Sequence, residues 1–242
     1  MFTLFLGVLL LTIAASFIQR VSGFGFGIFV MMFFPFFLPT YGESVMLSGL
    51  LAGTTALLVA LRHRQDIRWD VMGWVTLLNL SVSAVSVAYM ASWSNELLKR
   101  CLGGFLILIG LYFLFGSGLS RLSFRSRTSQ CLVGAVSGLM GGMFAMPGPA
   151  VVIFCIRSLP DKRQYMATMQ AFSVVFNVFY TFVRARAGFW SDLTLPLWGV
   201  GLLGVVAGSW VGARCFERIS PASLKRMVYL LMLASGAVAL VG

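Results

Sequence analysis

From Val71 to Ala91 the chain carries twenty-one consecutive residues without a charged side chain. Leu97–Phe115 is a second long apolar run, with its charges confined to the start. A bilayer core about 30 Å thick takes about 20 apolar residues per helical crossing, so runs of this kind read as transmembrane helices. Strands of a membrane barrel would read as alternating segments of about ten residues, a pattern these continuous runs do not have. Composition excludes a water-soluble fold. Only 10% of residues are charged and 59% are hydrophobic, against about 25% charged in soluble domains. The expected fold class is therefore an all-α integral membrane protein.

Dividing the 242 residues at charges, glycines and prolines gives apolar segments at 2–19, 23–38, 44–61, 71–91, 97–116, 129–142, 143–157, 164–183, 193–213 and 223–241. That makes about ten helical segments, with no length left for a soluble domain. Segments 23–38, 129–142 and 143–157 are short for a full crossing.

The chain repeats itself. Ser22-Gly23 before a glycine-rich run returns as Ser137-Gly138. Arg62-x-Arg64 returns as Arg184-x-Arg186, and Leu98-Lys99-Arg100 as Leu224-Lys225-Arg226. The offsets are 115, 122 and 126, in constant order. This organisation predicts two transmembrane repeats of about five segments each, 1–127 and 128–242, within one membrane domain.

The positive-inside rule sets their relative sense. If each glycine-rich stretch lies inside one long crossing, the basic residues divide eight against nine, with Arg20 left in the membrane. If each stretch is instead a turn between two segments, only Lys99, Arg100, Arg184 and Arg186 face one side. The other fourteen lysines and arginines then face the opposite side. That asymmetry favours inverted repeats with both termini outside, whether the turns join thin crossings or re-entrant hairpins.

Candidate binding residues gather at the two glycine-rich stretches. The first reads Gln19-Arg20-Val21-Ser22-Gly23-Phe24-Gly25-Phe26-Gly27. The second reads Ser137-Gly138-Leu139-Met140-Gly141-Gly142, followed by Met146-Pro147-Gly148-Pro149. Glycine and proline interrupt helices, and in lipid such breaks persist only where protein or a water-filled cavity satisfies the backbone. Matched breaks in two halves point to a transporter's central site, where free N–H groups at a helix N-terminus attract anions. The bland alternative is close helix packing through glycine. Arg20 beside the first break is a candidate counter-charge, or a side chain snorkelling to the interface. Gln19, Gln170 and Asn177 are amides in apolar stretches, suited to interhelical bonds or to substrate.

Other chemistry has little support. The seven acidic residues all fall at segment ends or in loops, so no buried carboxylate relay for proton coupling is visible. The cysteines (Cys101, Cys131, Cys155, Cys215) are scattered and read as buried small hydrophobes, and His63 is the only histidine. No metal site and no cofactor are expected. The basic residues sit in short links rather than on a clustered face, so nucleic acid is not an expected partner. The first segment lacks a basic leader and cleavage signal and reads as retained.

The motifs themselves are similar to those of a known family. Ser22-Gly23-Phe24-Gly25-Phe26-Gly27 with Pro35 after it, and Gly138-Leu139-Met140-Gly141-Gly142-Met143-Phe144 with Gly148-Pro149, resemble the paired signatures of the TauE/SafE family of sulfite and organosulfonate exporters or permeases. The resemblance covers essentially the whole chain. Met146-Pro147 departs from it, standing where many relatives carry small residues. It implies a non-enzymatic, multi-pass protein of the bacterial cytoplasmic membrane that moves small sulfur-containing or carboxylate anions. Gly23, Gly25, Gly27, Gly141, Gly142 and Gly148 would frame the anion. Partners would be the substrate and the lipid bilayer, with a homodimer as a candidate assembly. The expected mechanism is alternating access around a midplane site between the two broken helices. Rival readings are a passive anion channel, which calls for a continuous polar lining, and a membrane-embedded lipid-modifying enzyme, for which Asp66, Arg68 and Asp70 are the nearest polar cluster.

Overall fold

In hydrocarbon every backbone N–H and C=O must be satisfied inside the protein, and a helix does this within its own segment. A computed structural model describes residues 2–22, 25–115, 126–159, 161–215 and 221–241, and among these it contains eleven α-helices and no strand. They are α1 (Phe2–Ser22), α2 (Phe26–Met31), α3 (Phe34–Phe37), α4 (Tyr41–Arg62), α5 (Gly73–Met90), α6 (Asn95–Phe115), α7 (Arg127–Phe144), α8 (Gly148–Ser158), α9 (Lys162–Arg186), α10 (Thr194–Cys215) and α11 (Pro221–Val241). Two short 3-10 turns, Arg64–Asp66 and Trp69–Val71, join α4 to α5. Among the described residues five helices, α1, α4, α5, α9 and α10, are long and apolar enough to cross a membrane. Their outward faces carry Leu58, Val178 and Leu203, each at least 60% exposed, as a lipid solvent requires.

Three sequence expectations shift. The segment 23–38 is two helices rather than one. The ring of Pro35 opposes the carbonyl four residues back, at Met31, and α2 ends there. The segment expected at 129–142 is longer: α7 runs 18 residues, about 27 Å, and its glycines lie inside the helix rather than in the turn. The turn falls later, where Ala145 adopts a left-handed φ of 56° and Pro147 leads into α8. The third shift concerns Arg184, which was counted among the loop cations. It lies within α9 and is wholly buried.

The helices gather into two compact units. One is Met1–Leu47, Trp93–Arg121 and Ser191–Gly242; the other is Ser48–Ser92 and Leu122–Trp190. In the first, α1 packs along α10 and α6 along α11. In the second, α5 packs along α7, and α8 and α9 close around that pair. Each unit therefore draws helices from both halves of the sequence.

Small residues set these contacts, because apolar lipid gives helices little hydrophobic reason to associate and close backbone approach supplies the attraction instead. On α7, Gly134, Gly138 and Gly142, four apart, meet the backbone of Val75, of Asn79 and of Ser83 on α5. On α10, Gly204, Gly208 and Gly212 meet Leu9 and Thr12, Ile13, and Phe17 and Arg20 on α1. Residue numbers rise together across both contacts, so both pairs are parallel. Gly103 of α6 meets Gly236 and Ala239 of α11, while Gly110 meets Tyr229 and Leu233, so that pair is antiparallel. Gly49 and Gly53 of α4 face Arg184 and Asn177 of α9 in the same antiparallel sense.

The core of the second unit is aromatic. Phe154 of α8 stands edge-on to Phe172 at 6.3 Å, and Phe172, Phe176 and Tyr180 follow one another along α9 at 5.4 and 6.1 Å.

Substituting a packed glycine tests this reading. A Cβ on Gly138 would lie 2.5 Å from the Asn79 carbonyl oxygen, whereas one on Gly104 meets nothing within 4 Å. Gly138→Ala is expected to destabilise the purified protein by about 1–3 kcal/mol, the usual cost of overpacking. Gly104→Ala should be neutral or stabilising by up to about 1 kcal/mol. Thermal unfolding in detergent measures both.

Candidate functional site

The polar groups buried in the second unit form a connected set. Asn79 of α5 is wholly buried, and its Nδ2 donates to Ser137 Oγ at 2.8 Å. Ser137 Oγ donates in turn to the Gly134 carbonyl at 3.0 Å. The Tyr180 hydroxyl donates to Asn79 Oδ1 at 2.8 Å. Its ring belongs to the aromatic ladder of α9, and its hydroxyl to this network. The close approach at Gly138 makes the network possible, since it brings Asn79 within reach of the next turn of α7.

Arg184 adjoins the network. Among the residues with described side chains it is the one buried cation. Its Nη2 donates to the carbonyls of Gly141 at 2.5 Å and Gly142 at 3.2 Å. Its Cζ lies 5.2 Å from the centre of the Tyr180 ring. The last four carbonyls of a helix lack intrahelical partners and carry the negative end of its dipole. Gly141 and Gly142 lie in that last turn of α7, where the Gly141 carbonyl also accepts from the Ala145 N–H at 3.1 Å, so a guanidinium meets this end with favourable charge. Placing arginine within a membrane helix costs about 2.5–3.5 kcal/mol on insertion scales. A hydrogen bond to a charged group returns about 1.5–3 kcal/mol and a cation–π contact about 0.5–2 kcal/mol. The site is affordable, and the cation is held deep in the protein.

The expected site residues divide between the units. Ser137, Gly138, Gly141, Gly142 and Gln170 all belong to the second. Gly138 packs on Asn79, Gly142 on Ser83 and Ser86, and Gly141 on the Tyr180 hydroxyl. Gln170 is buried on α9, and Asn177 donates to the Ser173 carbonyl at 2.8 Å. Gly148 and Pro149 open α8. In the first unit, Gln19 Oε1 is buried on α1 without a hydrogen-bond partner. Arg20 lays its stem against Gly212 while the residue as a whole is exposed. Gly25, at a φ of 107°, precedes α2, and Gly27 lies inside it. Gly23 lies outside the described residues, as does the side chain of Ser22.

Asn79, Tyr180 and Arg184 are members of the buried network that the sequence did not single out. One signal for Arg184 was present. Gln170, Asn177 and Arg184 recur every seven residues, which keeps one face of a helix polar.

The Asp66, Arg68 and Asp70 cluster lies in the exposed loop between α4 and α5. Arg68 pairs with Asp70 at 2.7 Å, its backbone N–H donates to Thr168 Oγ1, and its guanidinium reaches Gln164. The hydrogen bond from Arg68 holds the Asp70 carboxyl below its ordinary range and raises the guanidinium in return. The cluster ties this loop to the start of α9. Among the described residues no His, Cys, Asp and Glu group has metal-binding geometry.

The family described as Sulfite exporter TauE/SafE matches residues 8–239. No curated protein and no solved structure matches the chain.

Tyr180→Phe is expected to lower stability by about 1 kcal/mol, because it leaves buried Asn79 Oδ1 without its donor. Thermal unfolding of the variant in detergent, with its helical circular dichroism retained, measures this.

Proposed function

We propose that this chain, which belongs to the sulfite exporter TauE/SafE family, is a secondary transporter moving small anions across the bacterial cytoplasmic membrane. The anions are sulfite, organosulfonates or related sulfur and carboxylate anions. The observation that carries the reading to specific residues is the buried guanidinium of Arg184 at the end of α7. An ionisable group held inside a membrane protein marks a substrate or ion pathway by default, and a cation selects anions.

The mechanism we infer is alternating access by two inverted repeats, 1–127 and 128–242, each interrupted at a glycine- or proline-flanked break. Helix directions support this. The third helices of the two halves, α4 and α9, run antiparallel, and so do the fifth, α6 and α11. The first helix of each half packs parallel to the fourth of the other, as α1 with α10 and α7 with α5. A chain duplicated in the same sense would give parallel equivalents. With Arg184 removed from the loop cations, the charge count strengthens to fourteen against three. A substrate drives such a protein only through its different affinity for the two access states.

Flux in proteoliposomes tests the reading. Wild type is expected to move sulfite or a sulfonate under an imposed gradient. Arg184→Gln should slow that flux at least tenfold, and Arg62→Gln, an equal loss of charge at the exposed end of α4, should leave it near wild type. If wild type moves no sulfite, sulfonate or carboxylate under any gradient, the reading is wrong.

A further inference from the structure

The glycine at position 49 of α4 is where two buried polar side chains of α9 converge. A Cβ built there would lie 2.7 Å from Arg184 Nη1 and 3.3 Å from Asn177 Oδ1, so both heads occupy the space a side chain would need. Asn177 is held by its donation to the Ser173 carbonyl, which leaves Oδ1 turned toward that point. An amide oxygen accepts from a guanidinium and repels an anion, so Asn177 suits a positioning role. Next to Gly49, Ser48 is wholly buried and its Oγ has no hydrogen-bond partner. Ser48 shares this state with Ser16 and Thr76, whereas other helical hydroxyls bond locally. Thr54, Thr55, Ser81 and Ser86 each donate to the carbonyl four residues back, the local bond open to any helical serine or threonine. A buried hydroxyl that forgoes this bond costs free energy unless something else takes it.

We propose that Arg184 and Ser48 bind the oxyanion head of the substrate, that Asn177 positions the guanidinium, and that Gly49 is the position that determines which head fits. This rests on the transport reading above and assigns it a subsite. The ligand class follows from the groups. A guanidinium and a hydroxyl offer N–H and O–H donors to acceptor oxygens, and the positive charge requires an anion. A methyl at Gly49 would displace Arg184 Nη1, the far end of a flexible side chain, so Gly49→Ala moves the charged head without forcing backbones apart. Gly53 differs, since its Cβ would lie 2.9 Å from Asn177 Cβ, close to the backbone of α9.

The test is sulfite binding by the full chain in nanodiscs, followed by calorimetry, with methanesulfonate and chloride as comparison anions. Wild type is expected to bind sulfite in preference to chloride. Gly49→Ala and Asn177→Asp should each raise the sulfite Kd at least tenfold, and Ser48→Ala about threefold. Arg62→Gln should leave the Kd unchanged. Asn177→Asp keeps the size of the side chain but sets a carboxylate against the guanidinium, so a purely structural role for Asn177 predicts no loss of binding from the folded variant. Should Gly49→Ala fail to fold, Ser48→Ala and Asn177→Asp decide the matter. If the folded variants bind sulfite like wild type while wild type transports it, the subsite is wrong and the transport reading stands. If wild type neither binds nor moves any anion, both fail.

Discussion

The close approach of α7 to α5 is the contact on which the rest of the second unit depends. Glycine at 134, 138 and 142 lets one helix lie against the backbone of the other, and no larger residue fits there. From that approach follows the bond between Asn79 and Ser137, and from Asn79 the anchoring of Tyr180. The end of α7 then presents its carbonyls to Arg184, whose guanidinium lies over the ring that Asn79 has anchored. A side chain at Gly141 would strike the Tyr180 hydroxyl and disturb this network from the other side. The glycines that read as a ligand loop in the sequence act first as a packing surface, and they set the stage for a buried charge.

The two parallel pairs reach the same closeness by different division of labour. In both, the second half of the chain supplies the glycines, on α7 and on α10. The first half supplies the larger partners, on α5 and on α1. At these contacts α1 carries Thr12 and Arg20, where α7 carries only glycine. α4 and α9 also differ at their ends. Arg62 ends α4 exposed, while its sequence counterpart Arg184 is buried in α9.

Much of this was legible in the sequence. Long charge-free runs specify helices in lipid because only a helix satisfies its backbone within one continuous segment, and nine of the ten expected segments correspond to single helices. The tenth divides at Pro35. What stayed hidden depends on which neighbour a residue meets. A glycine reads the same in a turn as in a packed helix, and only the position of Asn79 opposite Gly138 tells them apart. Arg184 reads as a loop cation because it directly follows the apolar run 164–183, and nothing local shows that α7 ends beside it. Polar residues every seven along α9 were the visible trace of a buried face, since that spacing returns to the same side of a helix.

The proposed alternating access requires that the two proposed repeats be built in opposite senses. Single cysteines at positions 64 and 186, the exposed equivalents after α4 and at the end of α9, test this in a cysteine-free background in intact cells. A membrane-impermeant thiol reagent is predicted to label the two positions from opposite sides, with 186 reached from outside. Labelling of both from the same side would contradict the account.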